Sequence, residues 1–127
     1  VARRLRQLGL KFDLILTSPL IRAKQTAEIL KAAHLSDALQ IEGYLAPSGD
    51  IQTWLTWFES WRSSDKTLAL VGHEPDLGNW AELLIWGTIR DRILLKKAGA
   101  IGIEVPDNGT ILANCQLFWL TPPRFLL

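Results

Sequence analysis

The sequence holds a single cysteine, Cys115, so no disulfide can form within the chain. Cys115 falls in an apolar alternating run, where a thiol is expected to be buried and inert rather than reactive. Methionine is absent, and histidine occurs twice, at His34 and His73. No run approaches the ~18 apolar residues of a membrane span. The first residues, VARRLRQLGL, lack a signal-peptide layout. A cytoplasmic protein that makes no membrane contact is expected. Without an HExxH motif or a Cys/His cluster, a zinc site is not expected. Walker A and GxGxxG motifs are missing too. VGHEPDLG has the outline of a serine-hydrolase elbow, but Glu74 stands in the nucleophile's place. Fourteen Lys and Arg against thirteen Asp and Glu leave a net charge of +1, which argues against a general nucleic-acid binder.

What is present suits a folded domain. Of the 127 residues, 48% are hydrophobic, enough for a core. No repeat, linker or low-complexity segment divides the chain, so a single domain over 1–127 is expected. The opening residues read as the inside of an amphipathic helix, with Val1, Leu5 and Leu8 on one face and Gly9 ending it. DLILTS predicts a buried strand near 13–17. Pro19 then suits the first position of a helix over 19–33, with Ser18 as its N-cap. Leu20, Ala23, Ala27 and Leu30 form the apolar face of that helix. A short strand is expected at 38–42, and YLAPSGD is loop chemistry. Asp50 can cap a helix over 51–62, where Trp54, Trp57, Phe58 and Trp61 recur at helical spacing as a packed core face. TLALVG predicts a second buried strand at 67–72, followed by a helix over 75–86 that packs through Trp80, Leu83 and Leu84. Segments 99–105 and 110–120 flank PDNGT and predict a hairpin. This alternation predicts a three-layer α/β/α sandwich with a mostly parallel sheet and an antiparallel C-terminal element.

The two clearest strands share one design. Each is apolar, ends in a polar turn, and leads into a helix with proline near its start. Ligands of open α/β sheets bind beyond the carboxyl ends of the strands. Ser18, Arg22 and His73 would all face that edge. Arg22 lies one turn into its helix, and helical side chains lean towards the N-terminus. Its guanidinium can swing back to where helix N–H groups point, an arrangement that suits phosphate. By spacing alone, Arg22 is equally a solvated surface arginine, and His73 a polar group satisfied by backbone. His34, in KAAHL, reads as an exposed histidine favoured by the helix C-terminal dipole.

SPLIRAKQTAEIL resembles the S-P-x-x-R-A-x-Q-T block of the histidine phosphatase superfamily. VGHEPDL resembles the second histidine block of that superfamily. YLAPSGD resembles the L-x-P-x-G-D segment of the small SixA-type phosphohistidine phosphatases. The resemblance implies a phosphoglycerate mutase-like fold and phosphoryl transfer through a phosphohistidine enzyme intermediate, with no metal or other cofactor. It makes Arg22 and His73 catalytic and phosphate-binding residues. Ser18 either contacts phosphate or only caps its helix. Glu74 is read as a helix-start carboxylate rather than the general acid. The implied substrate is a phosphorylated protein, such as a histidine-containing phosphotransfer domain. A phosphatase for small phosphoesters and a phosphoprotein-binding module without turnover are the rival readings.

One departure from the pattern is large. The nucleophile of the superfamily is a histidine in an R-H-G motif, and no R-H-G occurs here. His34 matches nothing in that motif. The expectation is that the natural protein extends upstream of Val1 and supplies this motif on a strand. That strand would lie in the middle of the sheet, beside residues 13–17 and 67–72. A non-catalytic relative that has lost the motif is the alternative.

Overall fold

The computed structural model describes all 127 residues. They form two compact units, Val1–His73 and Glu74–Leu127. The chain is of the α/β class, with a parallel sheet and an antiparallel pair near the C-terminus.

The first unit opens with α1 (Ala2–Gln7), then β1 (Leu14–Thr17), α2 (Ile21–Ala32), β2 (Leu39–Ile41), α3 (Ile51–Trp61) and β3 (Leu68–Val71). Only Leu5 is buried in α1; Val1 and Leu8, expected on the same inner face, are exposed. Gly9 takes a positive φ of 81° and turns the chain towards β1. The sheet order is β2-β1-β3, all parallel. β1 is central and buried along its whole length, as its unbroken apolar run requires.

β3 was expected to be buried as well, but Leu68, Ala69, Leu70 and Val71 are half-buried. The reason is topological: β3 pairs on one side only and forms an edge of the sheet. Because β1 and β3 pair directly, a further strand cannot lie beside both of them, as was expected of the strand carrying the R-H-G motif. Any added strand would have to join at an outer edge.

Helix α2 begins at Ile21, two residues later than Pro19 suggests, and Leu20 is its N-cap. Ser18 and Pro19 form the turn before it. Ala23, Ala27 and Leu30 are buried, but Leu20 is exposed because it precedes the helical face. α3 starts as expected: the Asp50 carboxylate accepts the Gln52 N–H at 3.0 Å. Trp54 and Phe58 are buried and stacked at 4.8 Å between ring centroids. Trp57 is only half-buried, because it lies at the margin of the apolar stripe, stacked on Trp61 at 5.4 Å. In the turn between β2 and α3, the Gly49 backbone passes so close to Tyr44 that a Cβ would fall 1.9 Å from the Tyr44 carbonyl oxygen. This steric demand accounts for the glycine of YLAPSGD.

The second unit contains α4 (Asp76–Trp86) and an antiparallel pair, β4 (Ala100–Glu104) and β5 (Gln116–Thr121). Gly87, left-handed at φ 81°, ends α4 by returning its N–H to the Leu83 carbonyl. Trp80 and Leu84 are buried, Leu83 half-buried. β5 begins at Gln116, well after the expected residue 110. Residues 111–115 instead dock on the end of α4, where the Leu83 and Leu84 carbonyls accept from the Ala113 and Cys115 N–H groups. Cys115 is buried there.

Glu82 is buried on α4, yet it is a carboxylate. It accepts the backbone N–H groups of Arg90, Arg92 and Ile93 at 2.5, 3.0 and 3.2 Å. It thereby staples the irregular segment 88–99 to the helix. Burial pushes the Glu82 carboxyl up, but the N–H groups of Arg90, Ile93, Arg92 and Asp91 outweigh this and hold it below the ordinary 4.5.

Two stability predictions follow from these environments. Trp54→Ala should cost about 3–5 kcal/mol in chemical denaturation, as for a buried aromatic. Trp57→Ala should cost only about 1–2 kcal/mol, since less of its ring leaves water on folding; equal losses would contradict the burial pattern. Because the folded state lowers the Glu82 pKa, its stabilisation is fully present above pH 4.5 and fades as pH falls through the lower folded value. Glu82→Gln should remove this acid-dependent component of the melting temperature and open segment 88–99 to proteolysis.

Candidate phosphate site

The site is built at the carboxyl ends of β1 and β3. These strands pair in parallel with Thr17 opposite Val71, so both chains leave the sheet at one edge. The Ser18 N–H donates to the Val71 carbonyl at 2.9 Å and extends the pairing by one residue. Ser18 therefore stands where β1 turns towards α2, and His73 stands two residues past the end of β3.

The structure brings these two side chains into contact. The His73 Nε2 lies 2.8 Å from the Ser18 Oγ. The same Oγ accepts the Leu20 N–H at 3.2 Å, which supports the turn into α2. Ser18 is fully buried, at 0% exposure, whereas His73 is half-buried. A serine hydroxyl this close to an imidazole has the spacing of a nucleophile and its base. Here, though, the hydroxyl is buried and already accepts the Leu20 N–H. The contact also ties the end of β3 to the turn into α2.

Arg22 lies in the first turn of α2, just beyond the Ser18–Pro19 turn, and is exposed. Its carbonyl accepts from the Thr26 hydroxyl, but its guanidinium has no partner within the chain. No acidic residue occupies the first turn of α2. The positive end of the helix and a free guanidinium fork thus share one short segment. Together they offer N–H donors to an anion and no carboxylate to compete with it.

His34 and Glu74 have surroundings of their own. His34 follows α2 at its far end, exposed and at φ 64°. α2 has 12 residues, so its axis separates that end from Arg22 by about 18 Å. Glu74 turns back on its own helix: its carboxylate accepts the Gly78 N–H at 2.9 Å. Partial burial raises its pKa above the ordinary value, and the Gly78 bond offsets only part of that. A shallow apolar groove lined by Ile21, Lys24, Gln25, Glu28 and Ile29 runs along α2 and includes neither Arg22 nor His73.

The Ser18–His73 contact is the part of the site that the sequence did not reveal. The two residues are 55 positions apart. Each was visible as a polar residue at a strand end, but only the β1–β3 register makes them neighbours.

No family model matches the chain. An uncharacterized protein of Picosynechococcus sp. (strain ATCC 27264 / PCC 7002 / PR-6) is 50% identical over 130 residues, an alignment that covers 100% of this chain and 78% of that protein. Among solved structures, the protein histidine phosphatase SixA complexed with tungstate superposes with a TM-score of 0.81. That match covers 99% of this chain and 78% of SixA, at 18% sequence identity. The likeness establishes a common α/β fold.

Proposed function

Since the chain belongs to the same family as the uncharacterized Picosynechococcus protein and shares the fold of SixA, we propose that it is a phosphatase of the histidine phosphatase superfamily. Its substrate is a phosphohistidine on a protein. The observation that carries this reading is the Ser18–His73 contact at the carboxyl ends of β1 and β3, just ahead of the helix turn that holds Arg22, so three groups support it. They are the Ser18-bound imidazole of His73, the partnerless guanidinium of Arg22, and the acid-free N-terminus of α2. Phosphoryl transfer asks a protein chiefly for positioning and for charge stabilisation of the transferring oxygens. Arg22 would bind two of those oxygens through its planar fork, and His73 would donate to a third.

The phosphoryl group would pass to a histidine of the enzyme, with cleavage of the substrate P–N bond, and then to water. Residues 1–127 contain no R-H-G motif to supply that histidine, and His34 is too distant from Arg22 to do so. We place the nucleophile on a segment encoded outside these residues. The outer edge of β3, apolar and without a partner strand, is where a strand carrying it would join the first unit. The natural partner is then a phosphorylated signalling protein, such as a histidine-containing phosphotransfer domain, met in the cytoplasm.

Tungstate is a tetrahedral oxyanion, so it serves as a probe of the site in this protein as well. Calorimetry should detect tungstate binding to the wild-type protein. Arg22→Ala should weaken it roughly tenfold or more, since hydrogen bonds to charged groups contribute about 1.5–3 kcal/mol each. The melting temperature should hardly change, because the guanidinium is exposed. Unaltered tungstate affinity in that variant would remove Arg22 from the site.

The activity itself is tested by assaying the protein expressed with its upstream coding sequence beside residues 1–127 alone. The longer protein should release phosphate from a phosphohistidine protein faster than from small phosphoesters. The reverse preference would point to a small-molecule phosphatase, and binding without turnover to a phosphoprotein-binding module. Turnover by residues 1–127 alone would refute the external nucleophile.

A further inference from the structure

We propose that Ser18 is a positioning residue that holds the proton of neutral His73 on Nδ1, so that the ring presents an N–H to the bound anion. The anion is identified through the phosphate reading above; the tautomer is argued from hydrogen bonding alone.

A serine hydroxyl has one proton to donate and two lone pairs to accept with. The Ser18 hydroxyl is wholly enclosed and has two partners, the Leu20 N–H at 3.2 Å and the His73 Nε2 at 2.8 Å. Leu20 can only donate, so it occupies one lone pair. Two arrangements remain for the contact with His73. In the first, Nε2 carries the proton and donates into the second lone pair. The serine proton is then left in the protein interior with no acceptor. In the second, the serine proton is donated to an unprotonated Nε2, and every buried donor is paired. Buried polar groups are overwhelmingly paired in folded proteins, so the second arrangement is the resting one. A neutral ring with bare Nε2 has its proton on Nδ1.

Nδ1 is the ring nitrogen left for a ligand. It makes no hydrogen bond within the chain, and it is not among the buried atoms that lack a partner. The Nδ1–H is present in the neutral ring and in the imidazolium alike. The site would thus offer the same donor to an oxyanion in either form of the ring. Without Ser18, a neutral ring could turn a bare nitrogen towards the anion, and the two lone pairs would repel.

The test is spectroscopic. In the full-length protein labelled with 15N at histidine, long-range proton–nitrogen correlation reads the tautomer directly, with His73 assigned by its loss in His73→Gln. At a pH where the ring is neutral, Nε2 should show the shift of a bare, pyridine-type nitrogen and Nδ1 that of a protonated, pyrrole-type one. The opposite pattern would overturn the proposal. Ser18→Ala should abolish the pattern, and Ser18→Thr, which keeps the hydroxyl, should restore it. An unchanged pattern in Ser18→Ala would also overturn the role of Ser18. If Ser18→Ala does not fold, the wild-type spectrum decides alone. Tungstate titration separates this proposal from the phosphate reading. An Nδ1–H ring in a protein that ignores tungstate upholds the tautomer and refutes the phosphate site. Tungstate binding by a protein with an Nε2–H ring upholds the site and refutes the assignment to Ser18.

Discussion

The candidate site depends on the register of β1 against β3. At the entry of the pair, Asp13 fixes it twice. Its N–H donates to the Thr67 carbonyl, and its carboxylate accepts the Thr67 N–H at 2.7 Å. At the exit, the Ser18 N–H reaches the Val71 carbonyl. Between these clamps four residue pairs run in step, from Leu14–Leu68 to Thr17–Val71. A slip of one residue would move the strand ends apart by about 3.3 Å and invert the face of every side chain. A hydrogen bond of 2.8 Å between Ser18 and His73 could not survive that change. The chemistry at one end of the pair therefore rests on a carboxylate at the other end, which touches neither site residue.

Much of this is legible in the sequence. Unbroken apolar runs followed by polar turns mark β1 and β3, because a strand enclosed by neighbours has no solvent side to encode. The aromatic spacing and Asp50 mark α3 for equally local reasons. The misreadings share another cause. Pro19 is a good first helical residue in isolation, yet Ser18 is drawn into the sheet by Val71 and into the contact with His73, so the helix starts later. Trp57 has the same period as Trp54, but period locates a stripe and not its margin. The 111–115 segment has strand-like alternation, but the Leu83 and Leu84 carbonyls at the end of α4 capture it first. For the start of α2 and for 111–115, a partner distant in sequence decides between two locally acceptable conformations.

Glu82 shows the same principle with the opposite sign. A helical pattern would assign its position to a buried apolar residue, since Gly78, Ala81 and Leu84 around it are buried. The carboxylate is tolerated because segment 88–99 brings it backbone N–H groups that would otherwise lack partners. An enclosed charge with several donors is stable where one with none would be expelled or neutralised. This irregular segment has little secondary structure of its own, so the acid replaces the ladder that a strand or helix would have provided.

The proposed role of Arg22 accords with its placement in the helix. A helix carries partial positive charge at its N-terminus, so a cation in the first turn is unfavourable by about 0.3–1 kcal/mol. Natural helices relieve this with an acidic residue, but α2 has none in its first turn, and its arginine has no carboxylate partner. An arginine selected only for solubility would be better placed at the other end, where Lys31 lies and the dipole favours it. Arg22 instead lies where its charge adds to that of the helix N-terminus. That concentration of positive potential is unfavourable by itself and would become favourable with the proposed anion bound. A site that is slightly strained without its ligand, and relaxed with it, is how a binding function would be expected to show itself in a sequence of otherwise balanced charge.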